Sequence, residues 1–324
     1  MRKFSIFGAS LLGLATLMLP VGEAAAQGFP IKPIRIIVPF PPGGGADVTA
    51  RALAQKMTEN LGQTVLVENK AGAGGGIATD YVARAEADGY TLLFTTTGHT
   101  IQPHLQKQAW DPIRDFTPLS LIATTPLIIA VNPAIKASTL PELIALAKAS
   151  PGKLTYGSSG PGGPLNLAAE YFKSMAGVNI VHVPYGGNAP MTVAVLRGEV
   201  DMVFDSPTGP LPNIRAGKMR GIATTGPRRL AALPDMPTVE EAGLPGYQFV
   251  LWNGIMAPAA TPREIVEKLN AEIIKAVNSP EVSNRYSTLG YTPTSTSLPE
   301  FATLVASDFA KYGRIIREAK IKPD

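Results

Sequence analysis

Four stretches of this chain combine glycine, proline and small polar residues in a way that could hold an anion without a cation. They are Pro39–Asp47 (PFPPGGGAD), Asn69–Gly76 (NKAGAGGG), Tyr156–Pro164 (YGSSGPGGP) and Val183–Pro190 (VPYGGNAP). Each follows an apolar run that reads as a strand and leads into helical periodicity. Glycine has no Cβ, so backbone N–H groups can approach a ligand closely. A helix N-terminus adds unpaired amides and about half a positive charge. Several such ends facing one cleft would suit a carboxylate. One loop alone could be no more than a tight turn. Four at the C-terminal ends of strands, where open α/β sheets bind ligands, favour a site.

The candidate contacts on these loops are Pro42, Gly43, Gly44, Ala46 and Asp47, then Gly74 and Gly75, then Ser158, Ser159, Gly160 and Gly163, and finally Tyr185. Thr96, Thr97 and His99 follow another strand end. Asp205 closes a further one, where it could accept bonds from loop amides or meet a ligand ammonium or hydroxyl. Asp47 opens a helix and reads first as an N-cap. His99 could line the cleft or sit at the surface. His182 alternates with apolar residues and reads as structural.

Enzyme signatures fail. No G-x-G-x-x-G register fits Gly72–Gly76, and no loop ends in Gly-Lys-Ser/Thr. Gly157-Ser158-Ser159-Gly160 lacks the spacing of a hydrolase elbow. His99 and His104 stand five apart around Pro103, the wrong face relation for a metal pair. Cysteine is absent, which removes disulfides, thiolate catalysis, zinc–thiolate and iron–sulfur sites together. No metal or cofactor is expected. The net charge is +4 without a basic stripe, so nucleic acid is not expected as a partner.

The elements that must position these loops alternate strand and helix, the pattern of an α/β fold with parallel sheet. At 324 residues and 45% apolar, two domains are expected. One series uses strands Ile34–Val38, Thr64–Glu68 and Thr91–Thr95 with helices Val48–Glu59 and Ile77–Glu86. Thr97–Phe116 reads as irregular. Strand-like runs Leu119–Ala123 and Leu127–Asn132 lead to a second series, with strands Leu154–Gly157, Ile180–Val183, Met202–Phe204 and Arg220–Thr224. Helices Pro164–Met175 and Ala189–Arg197 fall between them.

Phe249–Ala257 returns as a strand, and the remaining chain is helical. Capping boxes are expected at Thr139–Glu142, Thr261–Glu264 and Ser297–Glu300, with one helix running from the second of these to a stop at Gly290. The economical arrangement is discontinuous. Lobe 1 is 27–123 plus 252–324, lobe 2 is 124–251, and the tail packs back on lobe 1. Two crossing strands then form a hinge beside a ligand cleft. Residues 1–26 read as a secretory signal peptide: Arg2 and Lys3, an uncharged run to Gly22, and Ala24-Ala25-Ala26 before the cleavage point. The mature chain is thus expected outside the cytoplasm, in a periplasm.

KPIRIIVPFPPGGGADVTAR (Lys32–Arg51), VENKAGAGGGIA (Val67–Ala78), YGSSGPGGPLNLAAE (Tyr156–Glu170) and VPYGGNAPMTVAVLRGEVD (Val183–Asp201) resemble the Bug family. These are periplasmic substrate-binding proteins of tripartite tricarboxylate transporters. LPDMPTVEEAGLPGY (Leu233–Tyr247) and APAATPREIVEKLN (Ala257–Asn270) continue the likeness. It implies a two-lobed type II periplasmic-binding-protein fold that closes like a clamp. It also implies carboxylate recognition by backbone amides and water at the first two loops, and delivery to membrane transporter subunits. Family ligands include di- and tricarboxylates, acidic amino acids and aromatic acids. Many members carry His where this chain has Asn166, which makes Asn166 a further candidate contact. A monomer is expected. Two other readings stay open: an exported serine hydrolase using Ser158 or Ser159, and a ligand-binding sensor subunit.

Overall fold

The computed structural model describes residues 28–160, 162–318 and 320–321. The expected signal peptide lies outside them. The first half of the chain begins β1 (Ile34–Val38), α1 (Gly45–Leu61), β2 (Val65–Asn69), α2 (Gly76–Ala83), β3 (Thr91–Thr96) and α3 (Gly98–Leu105). It then crosses by β4 (Phe116–Pro126) into β5 (Ile128–Val131). There follow α4 (Leu140–Ala149), β6 (Thr155–Ser158), α5 (Pro164–Ala176), β7 (Val181–Pro184), α6 (Asn188–Arg197), β8 (Met202–Asp205), α7 (Pro210–Arg215) and β9 (Arg220–Thr224). The chain returns by β10 (Val250–Pro258) to α8 (Arg263–Val277), α9 (Pro280–Thr288), β11 (Thr292–Pro293) and α10 (Leu298–Glu318).

These strands form two sheets, ordered β11-β4-β10-β3-β1-β2 and β7-β6-β8-β5-β9. In the first, β1 pairs in parallel with β2 and β3, and β10 runs antiparallel between β3 and β4. Strand β1 (IRIIV) shows why it lies inside. Ile36 packs with α1 and α8, while its neighbour Ile37 packs on the opposite face with α2 and α10. A strand covered on both faces reads as a nearly continuous apolar run, and the exception here, Arg35, stays half-exposed beside Tyr81 and Glu68. In the second sheet β6 pairs in parallel with β7 and β8, and β5 is antiparallel to β8 and β9. Only Leu127 separates β4 from β5, so one nearly continuous strand passes between the lobes.

Several expectations need correction. Thr97–Phe116 is not uniformly irregular: it contains α3, which tolerates Pro103 near its end. The tail from Thr261 is broken into α8 and α9, because Pro280 has no N–H and holds Ser279 extended. Ser279 caps the second piece. The box at Thr139–Glu142 forms. The one at Thr261 does not, since its hydroxyl turns back to the Pro258 carbonyl at 2.7 Å. The last helix does more than return to lobe 1. Its Phe301 and Val305 pack under the first sheet, but Tyr312, Ile315 and Ile316 belong to the core of the second. Trp252 of β10 holds it midway, donating from Nε1 to Asp308 Oδ2 at 2.8 Å.

Candidate ligand cleft

A cleft of about 710 Å³ opens between the sheets. Lobe 1 contributes Pro42, Gly44, Ala46, Thr96 and Thr97, and lobe 2 contributes Ser159, Leu165, Asn188 and Ser206. Thr125, Leu251 and Asn253 of β4 and β10 form its floor. None of the described residues lining it carries a charge. A hollow of about 890 Å³ on the outer side of lobe 2 is larger, but it lies between Ser138–Pro141 and Ala232–Pro237, away from the glycine-rich loops.

What the cleft has in place of charges is helix ends. Helices α1, α5 and α6 all begin at its wall, at Gly45, Pro164 and Asn188. They run 17, 13 and 10 residues, long enough for each to carry a developed dipole. Each N-cap is a glycine (Gly44, Gly163 and Gly187) with no side chain bonded to the first-turn amides. Those donors therefore remain open to whatever enters the cleft. A Cβ at Gly45 would meet the Tyr291 hydroxyl at 2.6 Å, so a side chain there would have to displace that ring.

Around this cradle, several expected contacts act as braces and do not line the cleft. Asp47 is not the N-cap of α1; Gly44 is. The Asp47 carboxylate sits one turn in and reaches back. It accepts from Gly43 N at 2.9 Å, from Arg51 Nε at 3.0 Å and from Asn69 Nδ2 at 2.9 Å. These bonds tie the first two loops together, and the one from Arg51 leads in holding its pKa down at about 2. The Gly43 amide is thereby used within the loop. Gly74 and Gly75 adopt positive φ of 61° and 101°. They face a small side cavity shared with Thr96 and His99 and do not line the main cleft.

His99 is neither in the cleft nor at the surface, as it stacks on Trp110 and pairs Nε2 with Pro112 O at 2.9 Å. Burial lowers its pKa to about 4, so the ring is neutral and serves as a core anchor.

In lobe 2 the loop of β6 is braced similarly. Ser158 is fully buried, and its Oγ lies 2.7 Å from His182 Nε2 and 2.8 Å from Gly160 O. His182 stacks on Tyr156, whose hydroxyl donates to Glu170 and accepts from Asn166 Nδ2, each at 2.6 Å. Asn166 Oδ1 accepts from Gly162 N at 3.0 Å, so this buried amide grips the glycine loop from behind. Tyr185 packs its ring beside Gly157 and also stays outside the lining. Asp205 is buried behind two residues that do line the cleft. Its Oδ1 accepts from Asn188 Nδ2 at 2.6 Å and from Ser206 N at 2.7 Å, and burial pushes its pKa up to about 7.

The structure therefore gathers Pro42, Gly44, Ala46, Thr96, Thr97 and Ser159 at one cleft, with Asp47, Asn166 and Asp205 one layer back. Sequence reasoning missed Leu165, Asn188, Ser206, Leu251, Asn253 and Thr125. The last three sit on the crossover strands, where alternation turns every second residue to the cleft, a pattern that can be read only once the faces of those strands are known.

Two α/β lobes joined by crossing strands, with an uncharged cleft ringed by helix N-termini, define a periplasmic-binding-protein-type receptor fold. Residues 49–321 match the family model described as the tripartite tricarboxylate transporter family receptor. The chain belongs to that family. It is 35% identical over 326 residues to Protein BugT of Bordetella pertussis, spanning 99% of both chains. Among solved structures it is similar to R. palustris Rpa4515 with adipate, at 34% identity and a TM-score of 0.79, covering 91% of this chain and 100% of that one. It is also similar to MatC from Rhodopseudomonas palustris with bound malate, at 31% identity and a TM-score of 0.75, covering 89% and 100%. No described helix is long and apolar enough to cross a membrane.

Proposed function

We propose that this chain is a periplasmic solute receptor that binds a small carboxylate between its lobes and presents it to membrane transporter subunits. The observation that carries this reading is a cleft with no charged side chain into which three uncapped helix N-termini open. Such a site favours an anion through oriented amides without paying for a buried arginine. The relatives with adipate and malate support the ligand class. The clamp halves are 27–123 plus 252–324 and 124–251, working as a monomer after removal of residues 1–26.

Catalysis is not its task. Among the described residues, Ser158 lies beside a histidine but is buried and engaged with its own loop, while the cleft-facing Ser159 has no imidazole among the cleft residues. A thermal-shift screen of the mature protein against mono-, di- and tricarboxylates tests the reading, followed by mass spectrometry of the best ligand after incubation. The expected result is a saturable rise in Tm with the ligand recovered intact. No shift with any carboxylate, or turnover beyond one equivalent, overturns it.

A further inference from the structure

The cleft floor holds two buried polar side chains, each with one atom that lacks a hydrogen bond of good geometry. Thr125 on β4 is 3% exposed and Asn253 on β10 is 8% exposed. Among the described residues, Thr125 Oγ1 and Asn253 Nδ2 have no hydrogen-bond partner of good geometry, although both residues line the cleft. The Tyr291 hydroxyl lies close enough to Asn253 to feel its amide, yet no bond of good geometry forms. A buried donor without a partner is unfavourable, so two on one wall of one cleft mark groups held for a ligand.

Strand register gives their spacing. Leu251 pairs with Thr125 and Asn253 with Ala123, which places all four on one face. Thr125 and Asn253 are diagonal neighbours, separated by about 7 Å. Asn253 is also the partner of Thr96 on β3, next to the cradle at the start of α1. Thr125 lies further along, towards lobe 2. Between them the cleft surface is apolar, made by Leu251. Chemically the floor is donor, hydrocarbon, then hydroxyl.

We propose that Asn253 and Thr125 are specificity-determining residues that read two oxygens of one ligand. Asn253 Nδ2 donates to the carboxylate seated at the N-terminus of α1, and Thr125 Oγ1 bonds a second oxygen about 7 Å away. Methylene groups lie against Leu251 between these ends. The ligand class is a short linear carboxylic acid bearing a terminal hydroxyl or second carboxylate. This assignment rests on the receptor reading above.

The test measures the affinities of three five-carbon acids by calorimetry: pentanoate, 5-hydroxypentanoate and glutarate. The wild-type chain should bind the two oxygenated acids at least tenfold more tightly than pentanoate. Thr125→Val keeps the branched shape and removes the hydroxyl. It should cut that preference below threefold by weakening only the oxygenated pair. Asn253→Leu should weaken all three acids by about tenfold or more.

A second readout needs no ligand. Because Thr125→Val removes an unpartnered buried hydroxyl, the apo variant should melt at or above the wild-type temperature. A preference that survives in Thr125→Val, wild-type pentanoate binding equal to glutarate, or a marked loss of apo stability would each overturn the assignment. So would failure of all three acids to bind. If another carboxylate then stabilises the chain, the receptor reading stands and only this one falls.

Discussion

Substituting Gly44 isolates the contribution of the α1 amides to affinity. Gly44 is the N-cap of α1 with φ −75° and ψ 168°, a conformation open to any residue. A Cβ there meets only the Pro41 carbonyl oxygen, at 3.8 Å. Gly44→Val is therefore free of backbone strain, and its two methyl groups project where a carboxylate would meet the first-turn N–H groups. Hydrogen bonds to a charged acceptor contribute about 1.5–3 kcal/mol each. Displacing one should weaken binding roughly 10- to 150-fold, and Gly44→Ala should fall between wild type and valine.

The fold should survive, because valine in place of glycine at an N-cap costs about 1 kcal/mol at most, a few degrees in Tm. Gly43→Ala is the control. Its φ of 84° imposes strain, and its amide already serves Asp47. It should lower Tm while leaving affinity within about threefold, a change of roughly 0.7 kcal/mol. Calorimetry with the best carboxylate from the screen, paired with thermal melts, reads both quantities. Unchanged affinity in Gly44→Val at unchanged Tm would refute the amide cradle.

Two further predictions concern the braces. Burial raises the Asp205 pKa from 3.8 to about 7, so the folded state holds a proton that the unfolded chain releases between those values. The stability this group contributes is present below about pH 4 and lost as pH rises through 7. Asp205→Asn should remove that slope and gain up to about 4 kcal/mol over the wild type at pH 8, read from urea melts at pH 5 and 8. Parallel pH slopes in the two proteins would contradict it. Asn166→Ala strands the Gly162 amide and removes a donor to Tyr156. It should destabilise the chain by roughly 1–3 kcal/mol and weaken ligand binding through the loosened loop, with protease nicking near residue 160 as an independent readout.

The strands and the two-lobed plan were legible because apolar runs in a buried sheet leave little ambiguity. IRIIV is apolar at four of its five positions, which suits a strand covered on both faces. The glycine loops were legible as a group, since their composition states that backbone must be approached. What sequence could not distinguish was lining from bracing. Asp47, Asn166 and Asp205 have the chemistry of ligand contacts, and each instead satisfies amides of its own loop or its neighbour. Pairs such as Ser158 with His182 depend on which strands adjoin, and β6 lies beside β7 only through a crossover. The helix α3 was hidden by Pro103, whose position near the helix end spares most of the ladder. Asn253 and Thr125 were invisible for a different reason. Polar residues in a strand signal a site only once both faces of that strand are known.

Helix α10 gives the molecule a third link between its lobes, set apart from the two strands. Two adjacent strands alone would permit the lobes both to swing and to twist about the strand axis. A 21-residue rod with one end in each core opposes the twist, as a diagonal strut squares a frame. A clamp strutted in this way would keep chiefly one rotation, a door on its jamb. With a single path of motion, the amides of α1 on one leaf and those of α5 and α6 on the other would meet in the same alignment at each closure. Fidelity in this receptor is thereby partly mechanical: a molecule that cannot bridge the leaves in that one alignment leaves the door ajar.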